Sequence, residues 1–384
     1  MYDITHLRPT EFPLSADNIY FNHASISPIP ARTQARMHWA TDKLAQNPSR
    51  HFMEDGMPMF GQFMTDFAAF INATGPEEIV PVTTTSAALN AVAQAIEWQS
   101  GDNLILADME FPSNAYPWLS LGQDGVEARL VPSVGGGLTL AALEPYVDER
   151  TRLIAASAIQ FFSGHRTDLA AIGQFCRERG IIFAVDAIQA AGHIPLDVQT
   201  MAIDILAAGG QKSLLAPPGI GFLYVRQEIC DQLQPRLIGP NATVNYLHWL
   251  DYDLAPLPGA QRFMAGTPNT VGMFGLLASL SLLQELEMAA IDQHTSNLAA
   301  RAIGQLADRD YTVVTPVDAH GPIVTFASGR DAAATDALVA DLARQNIFVV
   351  KHLDKEGRPH IRLSFHCYNT EAELARFMTA LDSL

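Results

Sequence analysis

The chain has 384 residues, 48% hydrophobic and 17% charged, so it can bury a sizeable core and is too long for one small module. Its 41 acidic residues against 24 Lys and Arg leave a formal net charge of −17, which argues against nucleic acid or an anionic membrane as a partner, since both are polyanions. Cys176, Cys230 and Cys367 cannot staple so long a chain and match no zinc spacing, so no metal site is expected.

The N-terminus, MYDITHLRPTEF, has no apolar run, and no stretch is apolar enough to span a bilayer. A cytoplasmic protein is therefore expected. The first chemically suggestive stretch is VTTTSAALNAVAQAI, residues 82–96, where hydroxyl residues precede an amphipathic helical run. Thr85 or Ser86 as N-cap would leave first-turn amides, Ala87 included, free for a phosphate; an ordinary cap is the other reading. No Gly-rich P-loop accompanies it.

Between residues 101 and 226, short β-rich runs alternate with helical patterns. Strands are expected at 103–107, 129–132, 153–156, 181–185, 203–207 and 221–225. LAAIGQFCRERG, residues 169–180, repeats its apolar positions at three and four, ends in Arg177 and Arg179, and closes on Gly180. Apolar strands alternating with helices imply a mostly parallel sheet covered on both faces.

In IIFAVDAIQAAG, Asp186 directly follows an apolar strand and Gln189 lies three residues on. An acid at that end of an open α/β sheet can pair with a ligand cation, or simply cap the next helix. Lys212, in DILAAGGQKSLLAPPG, follows the next strand. In a partly desolvated cleft its amine becomes a candidate Schiff-base nucleophile.

Residues 234–264 are rich in Pro, Tyr and Trp and read as an extended loop, and 271–290 as one long helix. Strands at 322–328, 347–351 and 360–365, with helices between, indicate a smaller α+β unit. Arg362 inside the last strand calls for a partner, either a ligand carboxylate taken bidentately or a structural ion pair. Phosphate site, ring-nitrogen acid, amine and carboxylate clamp are together what a pyridoxal-phosphate enzyme requires.

On AGTPNT (265–270), VDAIQAAG and QKSLLAPPGIGFLYV, the chain resembles the class V aminotransferase and cysteine desulfurase family of fold-type I pyridoxal-phosphate enzymes. The likeness runs from IYFNHASISPIP to IRLSFHCYNTEAEL. It implies an N-terminal arm (1–15), a large α/β domain (16–270) with a mostly parallel seven-stranded sheet binding pyridoxal 5′-phosphate, and a small α+β domain (271–384). It further implies Lys212 as the Schiff-base lysine and Asp186 on the pyridinium nitrogen. Gln189 would bond the phenolic oxygen, Thr85 and Ser86 the phosphate with Thr267 of a second subunit, and Phe111 would stack on the ring. Arg362, with the backbone around Asn22 and His23, would bind the substrate. A homodimer with shared active sites follows from the same resemblance.

Three departures bear on the reaction. Desulfurases carry a mobile cysteine just before the arginine strand, and the corresponding KHLDKEGRPH has none. Gly209-Gly210-Gln211 stands where the family often has Ser-x-His. Phe111 replaces a stacking histidine, so it cannot move protons and Lys212 must. An aminotransferase passing the amino group of a small amino acid to a keto acid is expected, with a C–S β-lyase or desulfurase-like enzyme, or an amino-acid epimerase, as alternatives. A nicotinamide dehydrogenase lacks its GxGxxG, and a binding-only protein on this scaffold has no need of Lys212. Residues 237–251 and 351–360 are expected to shape the substrate pocket, and among the histidines His23 and His352 fall nearest it by resemblance.

Overall fold

Seven short strands explain the large unit, all of them wholly or largely buried except the edge strand at 127–131. The computed structural model describes residues 2–245, 247–248 and 250–384; Tyr246 and Trp249, within the expected pocket stretch 237–251, lie outside the described residues. After β1 (Ile19–Tyr20), the sheet strands are β2 (Ile79–Val82), β3 (Asn103–Ala107), β4 (Glu127–Val131), β5 (Thr151–Ser157), β6 (Ile182–Asp186), β7 (Ile205–Gly209) and β8 (Gly221–Val225). They lie in the order β2-β8-β7-β6-β5-β3-β4, with β8 antiparallel to both neighbours and the other pairs parallel.

The period-two alternation of strand side chains divides the interior in two. Ile105, Ile154, Phe183, Val185, Leu206 and Phe222 join one core. Leu104, Leu106, Leu153, Ala155, Ala184 and Leu223 join the other. That double burial is why these segments read as continuous apolar runs rather than alternating ones. Helix Leu169–Arg179 ends as expected, with Gly180 at φ 66°.

β2 was not expected from sequence. Pro81 interrupts its pattern, and the structure tolerates it because β2 is an edge strand, where a missing N–H costs no ladder bond on the open side. The expected single helix over 271–290 is instead two, Thr270–Leu286 and Met288–Ala307, bent by 80°. Glu287 makes the corner at φ 65°, which lets the first helix pack on Ala31–Gln46 while the second supplies Leu298, Ala302 and Leu306 to the smaller core. Periodicity continues across the break because both helices are apolar on their buried sides.

The smaller unit holds β9 (Ile323–Ala327), β10 (Ile347–Phe348), β11 (Val350–Leu353) and β12 (Pro359–Ser364). The antiparallel order is β11-β12-β9, whereas β10 pairs in parallel with β1. The run expected as one strand at 347–351 therefore splits, because its first half bonds the N-terminal segment and its second half bonds β12. Ser364 N–H also donates to Phe21 O, so residues 19–22 are built into this unit although they precede the large sheet in sequence. The described residues of 234–264 are irregular apart from two short 3₁₀ turns, as expected.

Candidate active site

The chemistry-bearing residues collect at the carboxyl ends of the parallel strands, where an open α/β sheet places ligands. Asp186 is the last residue of β6, registered against Ser157 of β5 and Ala207 of β7. One carboxylate oxygen accepts the Ile188 N–H at 2.9 Å, within a turn and not at the head of a helix. No lysine or arginine forms an ion pair with Asp186 among the described residues. Burial raises its carboxyl to about 6, against the lowering by the Ile188 N–H and the Lys212 charge. A protonated ring nitrogen would supply the missing partner.

Lys212 follows β7 by three residues and is 8% exposed. Burial pulls its amine down to about 8; the Asp186 charge raises it and the Arg362 charge lowers it further. Its Nζ lies 5.1 Å from the centroid of the Phe111 ring. The loop carrying it is held throughout: Ser27 N–H donates to Gln211 O, Leu215 N–H to Lys212 O, Ala216 N–H to Gly210 O, and His366 Nε2 lies 2.9 Å from Ser213 O. Because His366 Nδ1 accepts the Cys367 N–H, the proton belongs on Nε2 and the ring is a neutral clamp.

The helix Thr85–Ala95 is capped by Thr84, one residue earlier than expected, with the Ala87 N–H on Thr84 Oγ1 at 3.0 Å. The cap thereby uses the amide of Ala87. Thr85 turns inward and accepts the Gly209 N–H at 2.8 Å, tying this helix to β7. Ser86 Oγ stands 2.7 Å from Ser113 Oγ, a second hydroxyl that the sequence reading passed over. Gln211 Oε1 is buried here without a partner, and a Cβ on Gly209 would come within 2.7 Å of it. Hydroxyls and a helix N-terminus make a cradle suited to a phosphate, to which Gln211 would contribute only by turning its Nε2 donor inward in place of Oε1.

Arg362, on β12, is 2% exposed. Its Nη1 donates to Phe161 O and its Nη2 to Ser25 Oγ, while Nε has no partner. Among the described residues no carboxylate pairs with it, so the structural ion pair is not what holds it. Burial draws the guanidinium down to about 10, and a buried cation without an anion is the state an anionic ligand relieves. Residues 22–25 run between Arg362 and Gln189: Asn22 bridges Ser364, Ala24 N–H donates to Ser364 Oγ, and Gln189 Nε2 donates to Ala24 O. Asn22 Oδ1 is buried and unpartnered. The His23 imidazole turns away, against Tyr20, His366 and Tyr368 with Nδ1 3.0 Å from Ser27 Oγ, so that only the backbone of that residue accompanies the substrate side.

Glu110, just past β3, was missed by the sequence reading. It accepts from Ser157 N and Oγ, and burial raises its carboxyl to about 7 despite those bonds. The signal that singled out Asp186, an acid just beyond an apolar strand, was available for it too. Phe161 was also missed; its ring lies 5.0 Å from Phe111, edge to face. Thr267 is exposed and lines a 570 Å³ cavity with residues of 238–254, which none of the other expected cofactor ligands joins. Among the described residues no cluster of His, Cys, Asp or Glu could hold a metal. Asp186 unpaired by a cation, the helix N-terminus at Thr85 and Ser86 with its hydroxyls, and the amine at Phe111 fit pyridoxal phosphate.

The family described as aminotransferase class-V matches residues 19–377. An uncharacterised aminotransferase of Bacillus subtilis is 30% identical over 314 residues, 80% of this chain and 79% of the relative. A probable cysteine desulfurase of Methanothermobacter thermautotrophicus is 29% identical over 389 residues, covering 97% of this chain and 96% of that one. Among solved structures, the apo cysteine desulfurase of Thermococcus onnurineus superposes with a TM-score of 0.89 at 26% identity, covering 100% of this chain and 98% of that one.

Proposed function

The chain belongs to the class-V aminotransferase family, whose cofactor is pyridoxal 5′-phosphate, and from that premise we propose that it transfers the amino group of a small amino acid to a keto acid, with Lys212 carrying the proton. The observation behind this reading is a pair of buried cations, Lys212 and Arg362, neither in an ion pair with a carboxylate among the described residues and near enough that the Arg362 charge lowers the Lys212 amine. Bound there, pyridoxal phosphate supplies a carbonyl for the substrate amine and a protonated ring that withdraws electrons from the α-carbon.

The chain's own residues divide the remaining work. Arg362 takes the α-carboxylate in its fork, exchanging an uncompensated buried charge for a paired one. Asp186 keeps the proton on the ring nitrogen. Lys212, its amine at about 8, is poised near neutrality to accept the α-proton and return it. Phe111 covers the ring and excludes water but moves no proton, so Lys212 carries that step. Thr85, Ser86 and Gln211 hold the phosphate end, with Thr267 reaching the same end of a partner's site in a cytoplasmic homodimer.

Desulfuration through a protein persulfide fits less well, whatever the names of the relatives. That route needs an accessible thiolate, and Cys176, Cys230 and Cys367 are all buried, with burial pushing each thiol upward. The same shortage of thiols favours, as the second reading, a β-lyase, which cleaves a C–S bond without a sulfur acceptor on the protein. Visible spectra of the holoenzyme with a panel of L-amino acids separate the two. Loss of the cofactor band with one amino acid and its return with a keto acid is the expected result. Pyruvate release with no keto acid present marks the lyase, and no response to any amino acid sinks both.

A further inference from the structure

One polar side chain at the cleft has no part in the reading above. His352 sits on β11 directly opposite His360, with Val350 opposite Arg362. Side chains two residues apart share a face of a strand, so His352 and Arg362 present to the same side of the small sheet. The His352 ring meets Phe161 edge-on at 6.0 Å and Phe162 at 6.2 Å. Phe161 is the residue whose carbonyl receives Arg362 and whose ring touches Phe111, the ring beside Lys212. Amine, guanidinium and imidazole thus stand around one phenyl-walled space.

His352 Nε2 is shielded from solvent and without a hydrogen-bond partner. His360, its cross-strand neighbour, uses its own Nδ1 on Arg358 O and does not serve it. The strand is fixed from its far end as well, where Lys355 pairs with Asp108 just beyond β3 of the large unit. Burial, and the charges of Arg362 and Lys212, hold His352 neutral, down at about 4. A neutral imidazole with a free nitrogen can donate to or accept from an uncharged polar group but repels neither.

Resting on the assignment of Lys212 to the amine and Arg362 to the carboxylate, we propose that His352 is the third point of recognition. It hydrogen-bonds an oxygen on a short substrate side chain, a hydroxyl or an amide, and selects such amino acids over alkyl ones of the same shape. The inference holds for transamination and for β-elimination alike, because it concerns the side chain and not the bond broken.

Isosteric pairs test it. L-serine against L-2-aminobutyrate, and L-asparagine against L-leucine, differ mainly in the hydrogen-bonding group. Titrated into the wild-type holoenzyme and followed by the visible cofactor band, the polar member of at least one pair is expected to bind about tenfold tighter or better. In His352→Leu that preference should vanish through a raised half-saturation for the polar member alone, with kcat nearly unchanged and the alkyl member unaffected. His352→Gln, which keeps a donor and an acceptor, should recover part of it. The unaltered cofactor band and alkyl response report that the variants are folded. A wild-type enzyme that answers to amino acids without preferring either polar member overturns the proposal, as does a preference that survives in His352→Leu. A wild-type band that no amino acid alters overturns the underlying assignment of the site as well.

Discussion

The loop at 210–216 and the described residues of 237–254 are both irregular, yet they are stabilised in opposite ways. In the first, Lys212 and its neighbours are buried, and backbone bonds from Ser27, Leu215 and Ala216 with the His366 imidazole hold the chain. In the second, Leu250 is 94% exposed and Tyr252 89%, with Leu237, Leu247 and Leu254 also in the open. One region is complete within a single chain. The other leaves a run of large apolar side chains uncovered, which the proposed homodimer would cover, with Thr267 on the same cavity wall. Precision at the lysine is built from hydrogen bonds inside the fold, whereas in the proposed homodimer this second wall is finished by the partner.

Changes in the first region should have the largest effects. Lys212→Ala is expected to lower kcat by at least about 10³-fold and alter the visible band while leaving the apoprotein no less stable, as steady-state rates, spectra and thermal melts will show. Arg362→Met should reduce kcat/KM by about 10²-fold, mainly through KM, and at the same time raise the melting temperature of the apoprotein, because a buried unpaired cation is replaced by an apolar chain. A melt that falls instead would mean that the bonds to Phe161 O and Ser25 Oγ outweigh the desolvation. Gly192→Ala places a Cβ 1.7 Å from Ser213 O, beside the lysine, and overpacking of this kind costs about 1–3 kcal/mol or more, measurable by urea denaturation.

Leu250→Asp with Tyr252→Asp tests the second region. Sedimentation should show dissociation with the far-ultraviolet spectrum of the subunit kept; a dimer that persists would remove the contrast between the regions.

The smallest expected effect is one of pH. Burial first, then the nearby His193 imidazole, pushes His23 down to about 3 from 6.5, and His366 is displaced in the same direction. The unfolded chain therefore binds protons that the folded chain refuses. This contribution is complete above about pH 6.5 and is lost as pH falls toward the folded values. By pH 5 the loss from His23 alone is on the order of 2 kcal/mol, at about 1.4 kcal/mol per pH unit. Denaturation at pH 7 and pH 5 measures it, and His23→Asn should flatten the difference.

Much of the large unit was legible because its signals are local. Apolar runs at 103–107, 181–185 and 221–225 became β3, β6 and β8 with little shift, and Gly180 ended its helix. Asp186 and Lys212 could be picked out because each follows an apolar strand by zero to three residues, a relation carried along the chain. β2 was hidden by Pro81, which only an edge position excuses. The bend at Glu287 was invisible because an apolar face continues through it, and Glu110 was passed over although it obeys the rule that found Asp186.

By itself, the sequence determined the alternation of apolar strands with helices and the residue types of an amine, an acid and an arginine, since composition and period are properties of neighbours along the chain. Only the tertiary structure decided that Arg362 has no carboxylate to pair with among the described residues, that His23 turns into the core while His352 packs against Phe161 beside Arg362, and that Thr84 rather than Thr85 caps the helix. Each of these depends on which groups desolvate one another across separations of up to hundreds of residues, and burial of a charge or an imidazole is a property of the packed whole.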